Sequence, residues 1–250
     1  MKHGGDYVER TYRLLHRQED LVFFRLTVKE TDLDIGVPRG RMSKTLVEEA
    51  RQAVLAVRSQ LERYILTDRE FLSSLEPRHI APGAPEIARV MAAAGKAAGT
   101  GPMAAVAGAV AQHVGEYLAR RTREVIVENG GDVYICSKKA RRIGIFAGSS
   151  PFSNQIALEV EPHRTPLGIC TSSGTVGHSL SLGRADAVVI MSPAAALADA
   201  VATAAGNLVK GEDDLQKVVN FALGINSVTG ALVIMKDKLA AAGNIKLTPV

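Results

Sequence analysis

The stretch Pro193–Val209 reads PAAALADAVATAAGNLV, and only Asp199, Thr203 and Asn207 within it carry polar side chains. They are spaced four apart, and in a helix each step of four turns by only ~40°, so all three share one face. A buried carboxylate without a partner costs several kcal/mol or takes up a proton. Such a stripe must therefore meet water, a basic residue or a cation. A carboxylate and a hydroxyl one turn apart are oxygen donors of the kind Mg2+ accepts, with phosphate oxygens and waters completing the shell. The competing expectation is an ordinary amphipathic helix turned to solvent, but that face would be wider and would carry Lys, Glu or Arg.

Three further segments have the residue types for a ligand site. Gly99-Thr100-Gly101-Pro102-Met103 precedes a helical pattern. Free N–H groups at a helix start, after glycines that permit close approach, suit an anion such as phosphate. The run is neither a Walker loop nor a dinucleotide fingerprint, and most glycine breaks between two helices are only turns. Thr171-Ser172-Ser173-Gly174-Thr175-Val176-Gly177-His178-Ser179 gathers five hydroxyls and a histidine behind an apolar strand, a dense supply of hydrogen-bonding groups. Asn129-Gly130-Gly131-Asp132 is explained by a tight hairpin turn, although Asp132 could face a site.

Other chemistries are excluded. Gly177-His178-Ser179-Leu180-Ser181 has Ser181 where a nucleophile elbow needs glycine, and no histidine follows His178 to complete a triad in the required order. Cys136 and Cys170 lie far apart with no CxxC or HExxH, which excludes the usual zinc arrangements. His3, His16, His79, His113 and His163 are scattered and read as surface or capping residues.

The elements that must position these groups belong to a globular chain. Of 250 residues, 46% are apolar and 4% aromatic, with no Trp, so a large core of small aliphatic side chains is available and disorder is excluded. The net charge of +4 is mild, and the basic runs Arg120–Arg123 and Lys138–Arg142 lack interleaved aromatics. They read as solvated loops, and nucleic acid is not expected as a partner. No apolar leader follows Met1, and no segment is apolar enough to span a bilayer, so a cytoplasmic protein with reduced thiols and no membrane contact is expected.

Strands are predicted at Tyr12–Leu15 and Leu21–Val28, around the turn at residues 16–20. A helix follows over Ser43–Leu66, with a capping box at Thr45 and Glu48 and a stripe of Leu46, Ala50, Val54, Val57, Leu61 and Ile65. Small-residue helices are predicted to about Lys96 and over Pro102–Arg121. Val125–Val127 and Val133–Ile135 should form a hairpin, with further strands at Arg142–Ala147, Ile156–Val160, Leu167–Thr171 and Ala187–Met191. The polar-striped helix, a short helix ending at Leu223 and a strand at Ala231–Met235 complete the chain. Strands and helices come in clusters without strict alternation, so the expected class is α+β.

Read in order, these segments resemble the ApbE family of flavin transferases. Val127–Val133 is similar to that family's glycine-pair motif, and Cys170-Thr171-Ser172-Ser173-Gly174 to its Thr-Ser-Gly segment. Leu197-Ala198-Asp199-Ala200-Val201-Ala202-Thr203-Ala204 resembles its Ala-Asp-Ala-x-Ala-Thr-Ala signature. Glu30-Thr31-Asp32-Leu33 and Gly101-Pro102-Met103-Ala104 point to a small cytosolic branch.

The resemblance implies one ApbE-like domain over residues 1–250, built of two related halves with mixed or antiparallel sheets and Ala-rich helices. It implies Mg2+ on Asp199 and Thr203, beside the pyrophosphate of FAD or a similar nucleotide cofactor. A carbonyl near Gly99 would approach the metal. Gly99, Thr100 and Gly101 would cradle phosphate, and Asn129, Gly130, Gly131 and Asp132 would border the ligand. Thr171, Ser172, Ser173, Gly174, Thr175 and Ser179 would line the pocket, with His178 as the catalytic histidine.

FMN transfer to an acceptor protein, or FAD hydrolysis, is the implied activity, and a homo-oligomer is compatible with it. The family's His-Ile-Ile-Asp-Pro-Arg-Thr-Gly run is absent from this chain. The alternative is therefore a non-catalytic cofactor-binding or assembly protein that keeps the fold.

Overall fold

The computed structural model describes residues 17–174 and 183–250. The strand expected at Tyr12–Leu15 lies outside them, as do Thr175, His178 and Ser179. Eleven strands and six α-helices are described. The strands are β1 (Leu21–Val28), β2 (Thr31–Pro38), β3 (Val125–Asn129), β4 (Asp132–Cys136), β5 (Arg141–Gly144), β6 (Ile156–Val160), β7 (Leu167–Ser172), β8 (Ala187–Ser192), β9 (Gly230–Met235), β10 (Lys238–Gly243) and β11 (Leu247–Pro249). The helices are α1 (Lys44–Thr67), α2 (Arg69–Ser73), α3 (Glu86–Ala98), α4 (Val106–Thr122), α5 (Ala195–Leu208) and α6 (Leu215–Leu223).

Eight strands form one sheet in the order β1-β2-β3-β4-β7-β8-β9-β10, and every neighbouring pair is antiparallel. β11, β6 and β5 form a second, three-stranded antiparallel sheet. The two sheet faces carry different cores. Leu33, Cys170, Ile190 and Ala231 point to the helices and join Val54, Met91, Val114 and Val201 in the larger core. Val133, Ile169 and Met191, one residue out of phase, pack with Ile143, Leu158 and Val160 of the small sheet. Strand alternation thus separates a helix layer from a second sheet across one continuous sheet. The class is α+β, as expected.

β1 pairs with β2 through the turn at Lys29-Glu30. α1 begins as expected, but its cap is Ser43, whose hydroxyl accepts the Leu46 N–H, and not a Thr45–Glu48 box. The Asn129-Gly130-Gly131-Asp132 turn joins β3 to β4, with Gly130 at φ 69° and Gly131 at φ 108°. Those angles suit the primed turns that match the strand twist, which explains the glycine pair. The helix over Pro102–Arg121 is divided, with a 3-10 turn at Pro102–Ala105 leading into α4.

Arg141 corrects the reading of its basic run as a solvated loop. It is buried in β5 and its guanidinium bonds to Asp20 and Glu124, which precede β1 and β3. No helix among the described residues is long and apolar enough to cross a membrane.

Candidate functional site

α5 is buried almost all round. Its partly accessible positions before Leu208 are Asp199, Thr203 and Asn207, so the polar stripe forms a narrow seam and not a broad wet face. At the upper end of that seam four elements converge. The Asp199 carboxylate accepts the Gly108 N–H at 2.8 Å, and a backbone bond from Ala107 adds to it. α4 has no side-chain cap of its own, so a residue from α5 fills that role across 91 positions of sequence. The first amides of a helix lack intrahelical partners and carry its positive end, which is where a carboxylate is favoured.

The hairpin meets the same helix start. Asn129 donates its side-chain N–H to the Ala107 carbonyl at 3.0 Å, and the Gly131 N–H donates to the Glu128 carboxylate at 2.7 Å. Asp132, opposite Asn129 in the ladder, is buried on the helix side and accepts the Thr171 N–H at 3.3 Å. Cys170, also buried, places its sulfur 3.3 Å from the Ala195 carbonyl and against Asp132.

Among the described residues, no cation offsets this acidic pair. Burial lifts the Asp199 carboxyl to about 7, while the Gly108 and Ala107 amides pull it the other way. Burial, and then the negative charge of Asp199, raise Asp132 well above the usual carboxylate range, and Glu128 pushes in the same direction. Burial and the charges of Asp132 and Asp199 raise the Cys170 thiol as well, so it is a neutral packing group and not a nucleophile. Two carboxyls forced together in a desolvated place can be relieved by a proton or by a cation. Thr203, one turn below Asp199 on the accessible seam, adds an oxygen donor suited to a hard cation. The residues therefore fit Mg2+ by donor type and by unbalanced charge. Among the described residues no group of three or more His, Cys, Asp or Glu side chains could hold a metal ion, so the set is two acids and a hydroxyl.

The other expected site residues divide. Asn129, Gly131, Asp132, Thr171 and Asp199 are brought together, and Thr203 continues the seam. Gly130 sits exposed at the hairpin tip. Ser172 is buried, and the Gly174 N–H is taken by the Ala185 carbonyl.

At Gly99–Gly101, expected to cradle phosphate, the amides have partners within the chain. Gly99 is the left-handed cap of α3 (φ 75°), the Thr100 N–H donates to Gly95 and the Gly101 N–H donates to Leu75. A Cβ on Gly101 would lie 1.8 Å from the Ser74 carbonyl oxygen, so close chain packing requires this glycine. The amides at the true start of α4 are the ones turned to the site, and Asp199 takes those of Ala107 and Gly108. Sequence reasoning missed Gly108, although a glycine inside an Ala-rich helix costs stability and signals a packing need. A Cβ there would lie 2.4 Å from the Ala195 oxygen and 2.8 Å from the Asp199 Cβ.

A cavity of about 220 Å3 opens elsewhere, lined by Arg41, Ser43, Glu49 and Arg121 among others. It lies between the start of α1 and the end of α4, roughly 20 Å from Gly108 by the rise of an α-helix. It is too remote to serve Asp199.

The family model described as AbpE bacteria matches residues 13–238. The chain belongs to this family. Its relatives include UPF0280 protein MJ1526 of Methanocaldococcus jannaschii, 40% identical over 88% of this chain and 90% of that protein. UPF0280 protein MK0206 of Methanopyrus kandleri is 40% identical over 88% and 89%. Among solved structures, the apo flavinyl transferase ApbE of Pseudomonas stutzeri superposes with a TM-score of 0.58 at 16% identity, covering 89% of this chain and 94% of that one. The ApbE protein of Thermotoga maritima gives 0.55 at 14% identity, over 89% and 96%. The fold is that of the ApbE proteins.

Proposed function

We propose that this AbpE-family chain binds Mg2+ together with FAD or a similar pyrophosphate cofactor, and that it transfers FMN to an acceptor protein or hydrolyses the pyrophosphate. The observation that carries this reading is the Asp132–Asp199 pair, a charge-unbalanced acidic site formed where α4, α5, β4 and β7 meet, inside an ApbE fold. Asp199 and Thr203 would hold the metal, with Asp132 as the neighbouring acid. Bound there, Mg2+ supplies positive charge against the phosphate oxygens during phosphoryl transfer.

The chain's own residues do the rest. The α4 amides hold Asp199 in a fixed position and favour its ionised form against the burial that opposes it. Asn129 ties the hairpin to α4, which keeps Asp132 at the mouth of the seam. Thr171 to Gly174 form the wall beside it, and His178 remains the candidate for proton transfer on that loop. The reaction class is displacement at the FMN phosphorus: a P–O bond forms to a hydroxyl or to water, the bond to AMP breaks, and the attacking oxygen's proton is released to a base.

FAD titrations with and without Mg2+, followed by chromatography of FMN and AMP, test the proposal. Wild-type protein should bind FAD more tightly with Mg2+ and form both products. Asp199→Asn, which keeps an acceptor for the Gly108 N–H, should lose the Mg2+ dependence. Indifference of both proteins to FAD and Mg2+ would overturn it. The spent amides of Thr100 and Gly101 favour a second reading, a cofactor-binding or assembly protein without turnover. Mg2+-dependent FAD binding without FMN and AMP would select that reading.

A further inference from the structure

We propose that Gln112 is a positioning residue for Asp199, acting across the helix interface through the backbone of Ala195. The inference rests on the reading of Asp199 as the metal-binding carboxylate. α5 has no side-chain cap of its own, and its first N–H, on Ala195, donates to the Gln112 Oε1 at 2.8 Å. The orientation of that amide is set from the other side, because its N–H donates to the Glu116 carboxylate at 2.8 Å. With the NH2 group committed to Glu116, the oxygen is the atom left facing Ala195.

Two bonds therefore run in opposite senses between the same pair of helices. Asp199 of α5 caps α4 at Gly108, and Gln112 of α4 caps α5 at Ala195. Gly108 and Gln112 are one turn apart on α4, and Ala195 and Asp199 are one turn apart on α5. The four residues close a ring, with two hydrogen bonds joining two helical turns.

Ala195 is fixed on its remaining sides as well. Its carbonyl lies 3.3 Å from the Cys170 sulfur, and its Cα would lie 2.3 Å from a Cβ on Gly168. Only a glycine on β7 lets α5 start there. Asp199 sits one turn along a helix whose starting point is pinned, and among the described residues Gln112 is the side chain that accepts that helix's first N–H. Without its oxygen, Ala195 keeps a buried unpaired donor, and a shift of α5 that rehydrates it draws Asp199 off the Gly108 amide.

The test compares Gln112→Met, which removes the acceptor, with Gln112→Glu made together with Glu116→Gln, which retains an acceptor for Ala195 and reverses the bond to residue 116. The first readout is hydrogen exchange at the Gly108 amide, measured by NMR on the metal-free protein. That amide has no partner within its helix, so its protection reports Asp199 directly. In Gln112→Met it should exchange about tenfold faster, the equivalent of one lost hydrogen bond, with Val114 and Leu118 unchanged. The Gln112→Glu/Glu116→Gln pair should restore it. The second readout is Mn2+ binding to the protein without flavin. Affinity should fall about tenfold in Gln112→Met, as for residues that orient ligands, and stay near wild type in the Gln112→Glu/Glu116→Gln pair. Unchanged Gly108 exchange in Gln112→Met overturns the proposal. So does uniform acceleration along α4, which marks general loosening. If wild-type protein binds no Mn2+, the metal reading fails while the Gly108 exchange still decides the role of Gln112.

Discussion

At the scale of single residues, Asp199 serves two demands that oppose one another. Its burial and its closeness to Asp132 make the ionised form costly, yet a metal site needs that form. The carboxyl titrates near its ordinary 3.8 when unfolded and at about 7 in the fold. The folded state therefore holds the proton more tightly than the unfolded chain. Its contribution is fully present below about pH 4 and is lost as pH rises to about 7, and Asp132 shifts in the same direction. Asp199→Asn should thus be more stable than the parent above pH 7, by about 1–3 kcal/mol, and should lose that advantage at pH 4. Urea unfolding at the two pH values measures this. Asp199→Ala, which also uncaps α4, should fall below Asn by about 1 kcal/mol at either pH. A stabilising substitution that abolishes Mg2+ dependence would mark Asp199 as kept for chemistry at the expense of stability.

At the scale of elements, the decisive contact is the crossing of α4 over α5 at Gly108. Alanine is the better helix former by about 1 kcal/mol, so propensity alone favours Gly108→Ala. The added Cβ would meet a backbone carbonyl and the root of Asp199, neither of which can swing aside as a long side chain can. Gly108→Ala should therefore destabilise by about 2–3 kcal/mol in thermal melts, a cost of overpacking that outweighs the propensity gain. Gly40→Ala, with open space where its Cβ would go, is the control and should be near neutral.

Helices of this kind were legible in the sequence because apolar stripes and alanine runs declare them, and the β3–β4 hairpin because its glycines permit few other turns. β2 was not, since Asp32 and Asp34 alternate with Leu33 and Ile35 and dilute an apolar signal that pairing on both sides supplies. β10 was missed for the opposite reason: Ala240-Ala241-Ala242 carries no strand preference, and only pairing with β9 makes it one. In the site, the acid and the hydroxyl could be read from spacing alone. The cap that Asp199 places on α4, and the loss of Thr100 and Gly101 to local carbonyls, depend on contacts between segments that no local pattern records.

At the scale of the whole molecule, the two faces of the long sheet carry charge arrangements of opposite kind. On the helix face, Asp132 and Asp199 prefer to be protonated. On the other, Arg141 joins the small sheet to the large one by gripping Asp20 and Glu124. Its bonds to Asp20, with help from Lys139, hold that carboxyl far below the ordinary carboxylate range. The stability that Asp20 contributes is present above about pH 4 and is lost as pH falls below it, the reverse of Asp199.

Acid should therefore act on the two layers differently. Protection factors from hydrogen exchange, corrected for the intrinsic rate at each pH, should fall in β5 and β6 between pH 6 and pH 3. Those of α4 and α5 should hold or rise over the same range. Arg141→Met leaves Asp20 and Glu124 without their shared partner, so the small sheet should already open at pH 6, as a local event well below the global unfolding free energy. β8, in the middle of the large sheet and packed on both faces, should keep its protection in the variant. If β5, β6, α4 and α5 lost protection together at every pH, the layers would be one cooperative unit, and Arg141 would be a link within it and not the hinge between two.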